Sequence, residues 1–162
     1  MQITDPEYPD LADFKVVYIN EREGTAYIGL KSLDHKTTPL VDESKSLYFR
    51  DEPFVIVFSY LFRKTCKGYD MTGYGEATPD ELKNLIRELE LNTKSILSLN
   101  SEDDLRKFVN REGNEYFFVQ KEPIGLEGVI KYRNRMLEMN KVVYELCEYI
   151  KENNQILSIH GL

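Results

Sequence analysis

The chain is poor in the residues that build disulfide frameworks and metal sites. Its 162 residues include only two cysteines and two histidines. Cys66 and Cys147 stand 81 positions apart, which matches neither a zinc-binding pair nor the dense disulfides of small secreted domains. We therefore expect reduced, structural thiols. With two histidines, one of them His160 near the end, a histidine-rich metal site and a hydrolase triad both lack side chains.

Basic side chains are also few relative to acidic ones. The chain has 21 Lys and Arg against 28 Asp and Glu, a net charge of −7. Because nucleic-acid binding depends on Lys and Arg that neutralise phosphates, this balance disfavours direct binding of DNA or RNA, and it disfavours anionic membrane surfaces as well. A basic protein partner fits better, since complementary fields steer encounter. Residues 1–52 hold most of the excess, with 11 acidic and six basic side chains.

Long apolar runs are absent, and so is the pattern of a secretory leader. No apolar run approaches the roughly 20 residues that a membrane-spanning helix needs. The first seven residues have neither a basic region nor an apolar stretch, so we expect no signal peptide and a cytoplasmic location. The length predicts a single domain over residues 1–162. Residues 1–12, rich in Pro and Asp, are expected to form an irregular N-terminal arm.

The pattern of apolar residues predicts an α+β fold, with a largely antiparallel sheet packed against helices and one long C-terminal helix. Residues 14–20 and 25–33 flank a short Gly-containing loop and predict a β-hairpin. Residues 47–50 predict a short strand. Residues 54–62 are apolar at both alternating sets of positions, which predicts a central strand buried on both faces. Residues 115–120 predict a further strand.

Three segments have helical signals. The sequence Thr78-Pro79-Asp80-Glu81 is a strong helix start, with a capping box and proline at the first position. Ser101 is expected to begin a shorter helix that stops at Gly113, and residues 126–153 are expected to form one long helix. Residues 95–99, between the first two, are ambiguous between strand and loop.

Apolar residues on the long helix repeat every seven positions in two rows. These residues are Val129, Met136, Val143 and Ile150 in one row, and Tyr132, Met139 and Leu146 in the other. Such a stripe normally faces the core of its own chain. It is also what a coiled-coil seam between two copies requires. Arg133 and Asn140 interrupt the adjoining face, which favours the core.

A glycine-rich segment, residues 68–75, precedes the Thr78 helix. Phosphates are often bound between a strand and a helix in this way. However, Tyr74 stands where a phosphate loop needs Lys, and Thr78 stands where a dinucleotide fingerprint needs a third Gly. We therefore expect no phosphate and no cofactor here. The segment is either an ordinary connection or a loop that displays tyrosines to a protein partner.

Other candidate chemistry is incomplete. The sequence His35-Lys36-Thr37 has the His-x-Thr spacing of certain phosphoesterases, but those enzymes need a second copy of the motif, which this chain lacks. Cys66 has basic neighbours that could stabilise a thiolate, but it has no recognisable histidine partner. Carboxylates are numerous, and the sequence does not show which of them converge. We assign no catalytic or metal-binding residue.

These observations favour a non-enzymatic binding protein that masks a basic surface on a protein partner, for example a toxin or nuclease domain. Attraction would come from the N-terminal acids and anchoring from tyrosines. The candidate partner-binding residues are Asp5, Glu7, Tyr8, Asp10, Asp13, Tyr69, Asp70, Met71, Tyr74 and Glu76. In size, charge and lack of an active-site motif, the chain resembles small acidic bacterial immunity proteins, which neutralise basic toxins. No residue motif carries this resemblance.

Two other classes stay open. A structural or adaptor subunit would form a homodimer through the long C-terminal helix, with the seven-residue repeat as its seam. A small enzyme would need a pocket with convergent polar groups.

Overall fold

The computed structural model describes residues 10–18, 27–33, 46–69, 73–111 and 123–161. The strands in this part of the chain are β1 (Tyr27–Leu33), β2 (Ser46–Arg50), β3 (Tyr74–Ala77) and β4 (Ile156–His160). The α-helices are α1 (Asp51–Phe54), α2 (Tyr60–Thr65), α3 (Pro79–Leu97), α4 (Glu102–Val109) and α5 (Gly125–Glu152). A π-helix, Val55–Ser59, joins α1 to α2, and Leu11–Asp13 forms a short 3-10 helix.

The four strands form one antiparallel sheet in the order β2–β1–β4–β3. One face of the sheet, the inner face, contributes residues such as Leu30 and Ile159 to a core that it shares with the helices. The opposite, outer face carries mostly polar and aromatic side chains. The predicted α+β fold, with an antiparallel sheet packed against helices and one long C-terminal helix, is confirmed.

The strand predicted for residues 54–62 is wrong, because this segment is helical. It spans the end of α1, the π-helix and the start of α2. Phe54, Phe58 and Phe62 recur every four residues, and the Phe54 ring centroid lies 5.3 Å from that of Phe58 and 5.4 Å from that of Phe62. A short run buried on every side has no polar face, so its pattern does not distinguish a strand from a buried helix.

The predicted hairpin between residues 14–20 and 25–33 has the wrong partner in its described part. Val17 pairs with Tyr48 of β2, with N–H···O=C distances of 2.7 and 3.1 Å, and not with β1. The second run does contain β1, which begins at Tyr27. The 3-10 helix Leu11–Asp13 lies partly within the predicted N-terminal arm. The hairpin loop lies outside the described residues.

Of the four strands, β1 and β2 were predicted, and β3 and β4 were missed. β2 corresponds to the short strand predicted over residues 47–50. β3 was overlooked because it is only four residues long and begins inside the glycine-rich segment. β4 was overlooked because its neighbours in the sheet, β1 and β3, lie far away in the sequence. The strand predicted over residues 115–120 and the stop at Gly113 lie outside the described residues.

The predicted helix starts are confirmed. The Thr78 hydroxyl accepts a hydrogen bond from the Glu81 N–H (3.2 Å), and Glu81 Oε1 accepts one from the Thr78 N–H (2.9 Å). α3 continues to Leu97, so the ambiguous residues 95–99 are mostly helical. The Ser101 hydroxyl accepts from the Asp104 N–H at the start of α4 (3.1 Å). Because each cap satisfies backbone donors that lack a partner inside the helix, these starts are well determined locally.

The seven-residue stripe of α5 belongs to the core of its own chain. All seven of its residues are buried, and those in the row that begins with Val129 are completely inaccessible. The hypothesis that this stripe is a seam between two copies is therefore wrong, because its side chains are already covered by the sheet and the other helices. Among the described residues, no helix is both long and apolar enough to cross a membrane.

A buried polar network connects α3, α5 and the π-helix with Arg111, which lies two positions after the end of α4. We call it the asparagine network. Asn140 of α5 donates to the Leu89 carbonyl (3.0 Å) and accepts from Asn92 of α3 (2.8 Å). Asn92 also donates to the Val57 carbonyl of the π-helix (3.3 Å). Arg111 donates to this same carbonyl (2.8 Å) and to Asn92 Oδ1 (2.9 Å). The network therefore sets how α3, α5 and the π-helix meet.

The glycine-rich segment meets the sheet at a close backbone contact. A Cβ atom at Gly75 of β3 would lie 2.1 Å from the Gly68 carbonyl oxygen. A Cβ atom at Gly68 would meet nothing closer than 3.5 Å. Only glycine fits at residue 75, because the connection after α2 runs directly against this strand.

We expect Gly75→Ala to lower the free energy of unfolding by about 1–3 kcal/mol, because the new methyl group forces the backbone of residue 68 away. Gly68→Ala is the matched control and is expected to change the free energy of unfolding by less than about 0.5 kcal/mol. Chemical denaturation followed by circular dichroism measures both. Equal effects of the two substitutions would contradict this account of the contact.

We expect Asn140→Ala to lower the free energy of unfolding by about 1–3 kcal/mol, because it removes hydrogen bonds from buried polar groups that water cannot reach. Asn84→Ala, at an exposed position of α3, is the control and should change stability by about 0.5 kcal/mol or less. Denaturant titration measures both values. A tolerated Asn140→Ala would show that the asparagine network does not stabilise the helix packing.

Candidate functional site

A cluster of polar side chains lies on the outer face of the sheet at β3 and β4, and we call it the outer-face cluster. It consists of Tyr74, Glu76, Ser158 and His160. The register places Tyr74 opposite His160 and Glu76 opposite Ser158, so all four side chains project from the same face. The Tyr74 ring meets the His160 ring edge to face, with centroids 4.9 Å apart.

Hydrogen bonds link the members of the outer-face cluster in pairs. The Tyr74 hydroxyl donates to Glu76 Oε1 at 2.5 Å. Partial burial raises the pKa of Tyr74, and the hydrogen bond to Glu76 raises it further, while the nearby Ser158 hydroxyl opposes the shift. Ser158 Oγ lies 2.6 Å from His160 Nε2. Tyr74 is therefore held as a neutral donor beside a carboxylate at neutral pH.

The Ser158–His160 contact does not present a nucleophile to solvent. Ser158 is completely buried, whereas a catalytic serine has to reach its substrate. Tyr74, by contrast, is 55% exposed, and Glu76 is exposed as well. The accessible part of this cluster is thus a tyrosine and a carboxylate on an edge strand, which suits recognition of a polar or cationic surface.

A second acidic feature lies at the other edge of the sheet, where β2 leads into α1. Asp51 and Glu52 occupy the first turn of α1, and Asp13 of the 3-10 helix lies close enough to Glu52 to act on its charge. We call these three residues the acidic corner. Partial desolvation and the charges of Asp51 and Asp13 raise the pKa of Glu52. Within the described residues, no Lys or Arg forms an ion pair with any of the three.

The helix dipole explains part of the acidic corner but not all of it. Acids in the first turn of a helix are favourable, which accounts for Asp51 and Glu52. Asp13 belongs to a different segment, and its approach adds like-charge repulsion that the helix does not require. The corner therefore concentrates negative charge beyond what local structure needs.

The structure separates the ten predicted partner-binding residues. Asp5, Glu7, Tyr8, Asp70 and Met71 lie outside the described residues. Tyr74 and Glu76 come together in the outer-face cluster, and Asp13 lies in the acidic corner.

Two predicted residues have local structural contacts. Asp10 caps the 3-10 helix, and its carboxylate accepts from the Ala12 N–H at 3.0 Å. Tyr69 is half-buried and not displayed to solvent as expected: its ring packs 5.6 Å from that of Phe62, and its hydroxyl donates to Ser59. The aromatic ring of Tyr69 is apolar enough to pack against the core, because its hydroxyl group forms a hydrogen bond.

The N-terminus of α3 already has an anionic group in place. Glu81 accepts from the Thr78 N–H and, at 2.8 Å, from the N–H of Lys67, which immediately precedes the glycine-rich segment. These backbone donors hold the pKa of Glu81 below its ordinary value. A phosphate would have to displace this carboxylate, so the geometry favours a structural connection over a phosphate loop.

The two cysteines are free thiols buried in the core. Burial raises the pKa of Cys66 to about 11, and it raises the pKa of Cys147 as well. The basic neighbours of Cys66 therefore do not produce a reactive thiolate, because desolvation is the larger effect. In the part of the chain that the structure describes, no three His, Cys, Asp or Glu side chains form a cluster that could hold a metal ion.

Sequence reasoning missed a surface groove between α3 and α5. It has a volume of about 540 Å³, and Lys94 and Leu97 of α3 line it together with Leu137, Lys141 and Tyr144 of α5. We call it the α3–α5 groove. Its apolar residues do not belong to the seven-residue stripe of α5. Leu97 and Leu137, which stand outside the core positions of their helices, were the available signal.

Comparison with known proteins gives no match to a protein family, to a curated protein or to a solved structure. The function therefore has to be argued from the outer-face cluster, the acidic corner and the α3–α5 groove themselves.

Proposed function

We propose that this chain is a non-enzymatic binding protein that covers a basic surface on a protein partner, as a cytoplasmic inhibitor of the bacterial immunity-protein kind does. The observation that carries the proposal is the acidic corner. Three carboxylates from two segments lie near one another there without a described cation, and the pKa of Glu52 is raised first by its partial burial and then by the negative charges of Asp51 and Asp13. A Lys or Arg side chain from a partner would neutralise the repulsion among these carboxylates. The ion pair formed in this way would stabilise the complex.

The outer-face cluster supplies an anchor for the same partner. Tyr74 combines a large exposed ring with a hydroxyl that is fixed by Glu76, and tyrosines of this kind contribute strongly to protein interfaces. Because its rotamer is already held by Glu76 and His160, little side-chain entropy is lost when a partner packs against it.

One partner is wide enough to contact both features. The strand register places Tyr74 in one row with His160, Gly29 and Tyr48, and Asp51 follows Tyr48 by three residues. Three strand spacings across the sheet, and the three residues from Tyr48 past the end of β2 to Asp51, give a separation of about 17 Å. A standard interface of about 800 Å² per partner is roughly 30 Å across.

We expect the triple variant Asp13→Asn/Asp51→Asn/Glu52→Gln to slow association with the partner about tenfold, because the charges of the acidic corner accelerate encounter. The partner is first captured from a lysate of the source organism on the immobilised chain, and its association rate is then measured at about 50 and 200 mM salt. The rate of the unmodified chain should fall with salt, and that of the variant much less.

The control for this variant removes the same charge from exposed positions of α5. It carries Glu127→Gln, Glu145→Gln and Glu152→Gln, and its association rate should stay close to that of the unmodified chain. Equal slowing by the two triple variants would show that only net charge matters and would remove the acidic corner from the interface. A captured partner with an acidic contact surface would overturn the proposal itself.

We expect Tyr74→Ala to speed dissociation of the same complex by about tenfold or more, as the loss of an interface anchor does. Tyr74→Phe keeps the ring and removes the hydrogen bond to Glu76, so its dissociation rate should lie between those of the unmodified chain and Tyr74→Ala. Leu126→Ala, at a 58% exposed position of α5, is the control. Unchanged dissociation of Tyr74→Ala would exclude the outer-face cluster from the interface.

A further inference from the structure

The α3–α5 groove lies on a part of the surface that the proposed function does not use. Leu97 is 55% exposed beside it, and Leu137 is half-buried within it. The groove therefore offers apolar area to solvent, flanked by the long side chains of Lys94 and Lys141. Two packed helices with such a groove between them can accept further helices on the same side.

The charged side chains around the α3–α5 groove form no ion pairs with other described residues of the chain. Among the described residues, Lys94, Lys141 and Glu138 form no ion pair. Glu90 accepts a hydrogen bond from the Tyr144 hydroxyl at 3.2 Å but pairs with no described cation. The four charges sum to zero, on a chain whose net charge is −7. A second copy of the chain, although acidic overall, therefore meets little electrostatic repulsion at this surface.

The asparagine network sets the relative level of the two helices that form the groove. Asn92 of α3 bonds to Asn140 of α5, so these two positions lie at about the same height. Glu90 precedes Asn92 and bonds to Tyr144, which follows Asn140. The two helices are therefore antiparallel. The height of a residue along the helix pair follows from how many residues separate it from Asn92 or Asn140, at about 1.5 Å per residue.

On this scale the four charges alternate in sign around the groove. On one side of the asparagine level, Glu90 of α3 lies roughly opposite Lys141 of α5. On the other side, Lys94 of α3 lies roughly opposite Glu138 of α5. The pattern is a square with like charges on the diagonals. A two-fold axis that runs along the groove, or across it at the asparagine level, places each lysine against a glutamate of a second copy.

We propose that the α3–α5 groove binds a second copy of this chain, in a symmetric dimer in which α3 and α5 of both copies form a four-helix layer. Leu97 and Leu137 of each copy pack against the other, and the four charges form intermolecular ion pairs around them. This surface lies on the opposite side of α5 from the buried stripe, so dimerisation leaves the core unchanged.

The size of the surface predicts a weak dimer. α3 has 19 residues and is about 28 Å long, and the face of two adjacent helices is about 18 Å wide. The contact therefore buries about 500 Å² per copy, or about 1,000 Å² in total, near the lower limit for specific interfaces. We expect a dissociation constant in the micromolar range.

Sedimentation equilibrium of the full chain between about 1 and 500 μM tests the proposal. We expect a monomer–dimer equilibrium that Leu97→Lys weakens at least tenfold. Leu91→Lys is the matched control, because Leu91 is 48% exposed on the same helix but does not line the groove. Both variants are expected to stay folded, because both positions are exposed, and circular dichroism checks this. A monomer at every concentration, or a dimer unaffected by Leu97→Lys, would overturn the proposal.

Charge exchange then tests the symmetry. Lys141→Glu should weaken the dimer about tenfold, since each of two equivalent contacts turns from attraction into repulsion. Adding Glu138→Lys restores the dimer if the axis runs across the groove. The pair Lys94→Glu/Glu138→Lys instead retains it if the axis runs along the groove. Loss of the dimer in both double variants would show that the alternating charges do not specify it and would refute the proposed arrangement.

Discussion

The Val57 carbonyl oxygen is the point on which the helix packing depends. It lies in the π-helix and accepts hydrogen bonds from both Asn92 and Arg111, while Asn140 completes the connection to α5. A buried amide that lost these bonds would cost more free energy than it gains by burial, so the network tolerates one relative position of the helices. The same network sets the antiparallel level of α3 and α5, and through it the arrangement of charges at their surface.

The long helix α5 uses two of its faces for different purposes. Its seven-residue stripe is buried against the sheet and the other helices, and this packing supplies a large part of the core. Its opposite side, with Leu137 and Lys141, borders a groove that the chain itself does not fill. The acidic corner and the outer-face cluster belong to the sheet side of the molecule. The proposed masking of a basic partner and the proposed association of two copies would therefore use separate surfaces and would not compete.

Predictability differed between segments for physical reasons. The start of α3 was predictable because the capping box is a contact between residues three apart, and Thr78 and Glu81 satisfy each other without help from the fold. Residues 54–62 were assigned to a strand because apolar residues occupy both alternating sets of positions, and burial on nearly all sides removes the periodicity that would identify a helix. β4 was missed because its hydrogen-bond partners lie in distant segments. Within the candidate site, Tyr74 and Glu76 lie together because they occupy alternate positions of the same strand.

The sequence by itself determined the fold class, the capped helix starts, the buried stripe of α5 and the acidic character of the chain. Each of these follows from local spacing or from composition, which act whatever the rest of the chain does. Only the tertiary structure decided that Asp13 lies near Glu52, that Tyr69 packs against the core and that α3 and α5 leave a groove with alternating charges. These features depend on which distant segments come into contact, and long-range packing leaves no signature in the spacing of neighbouring residues.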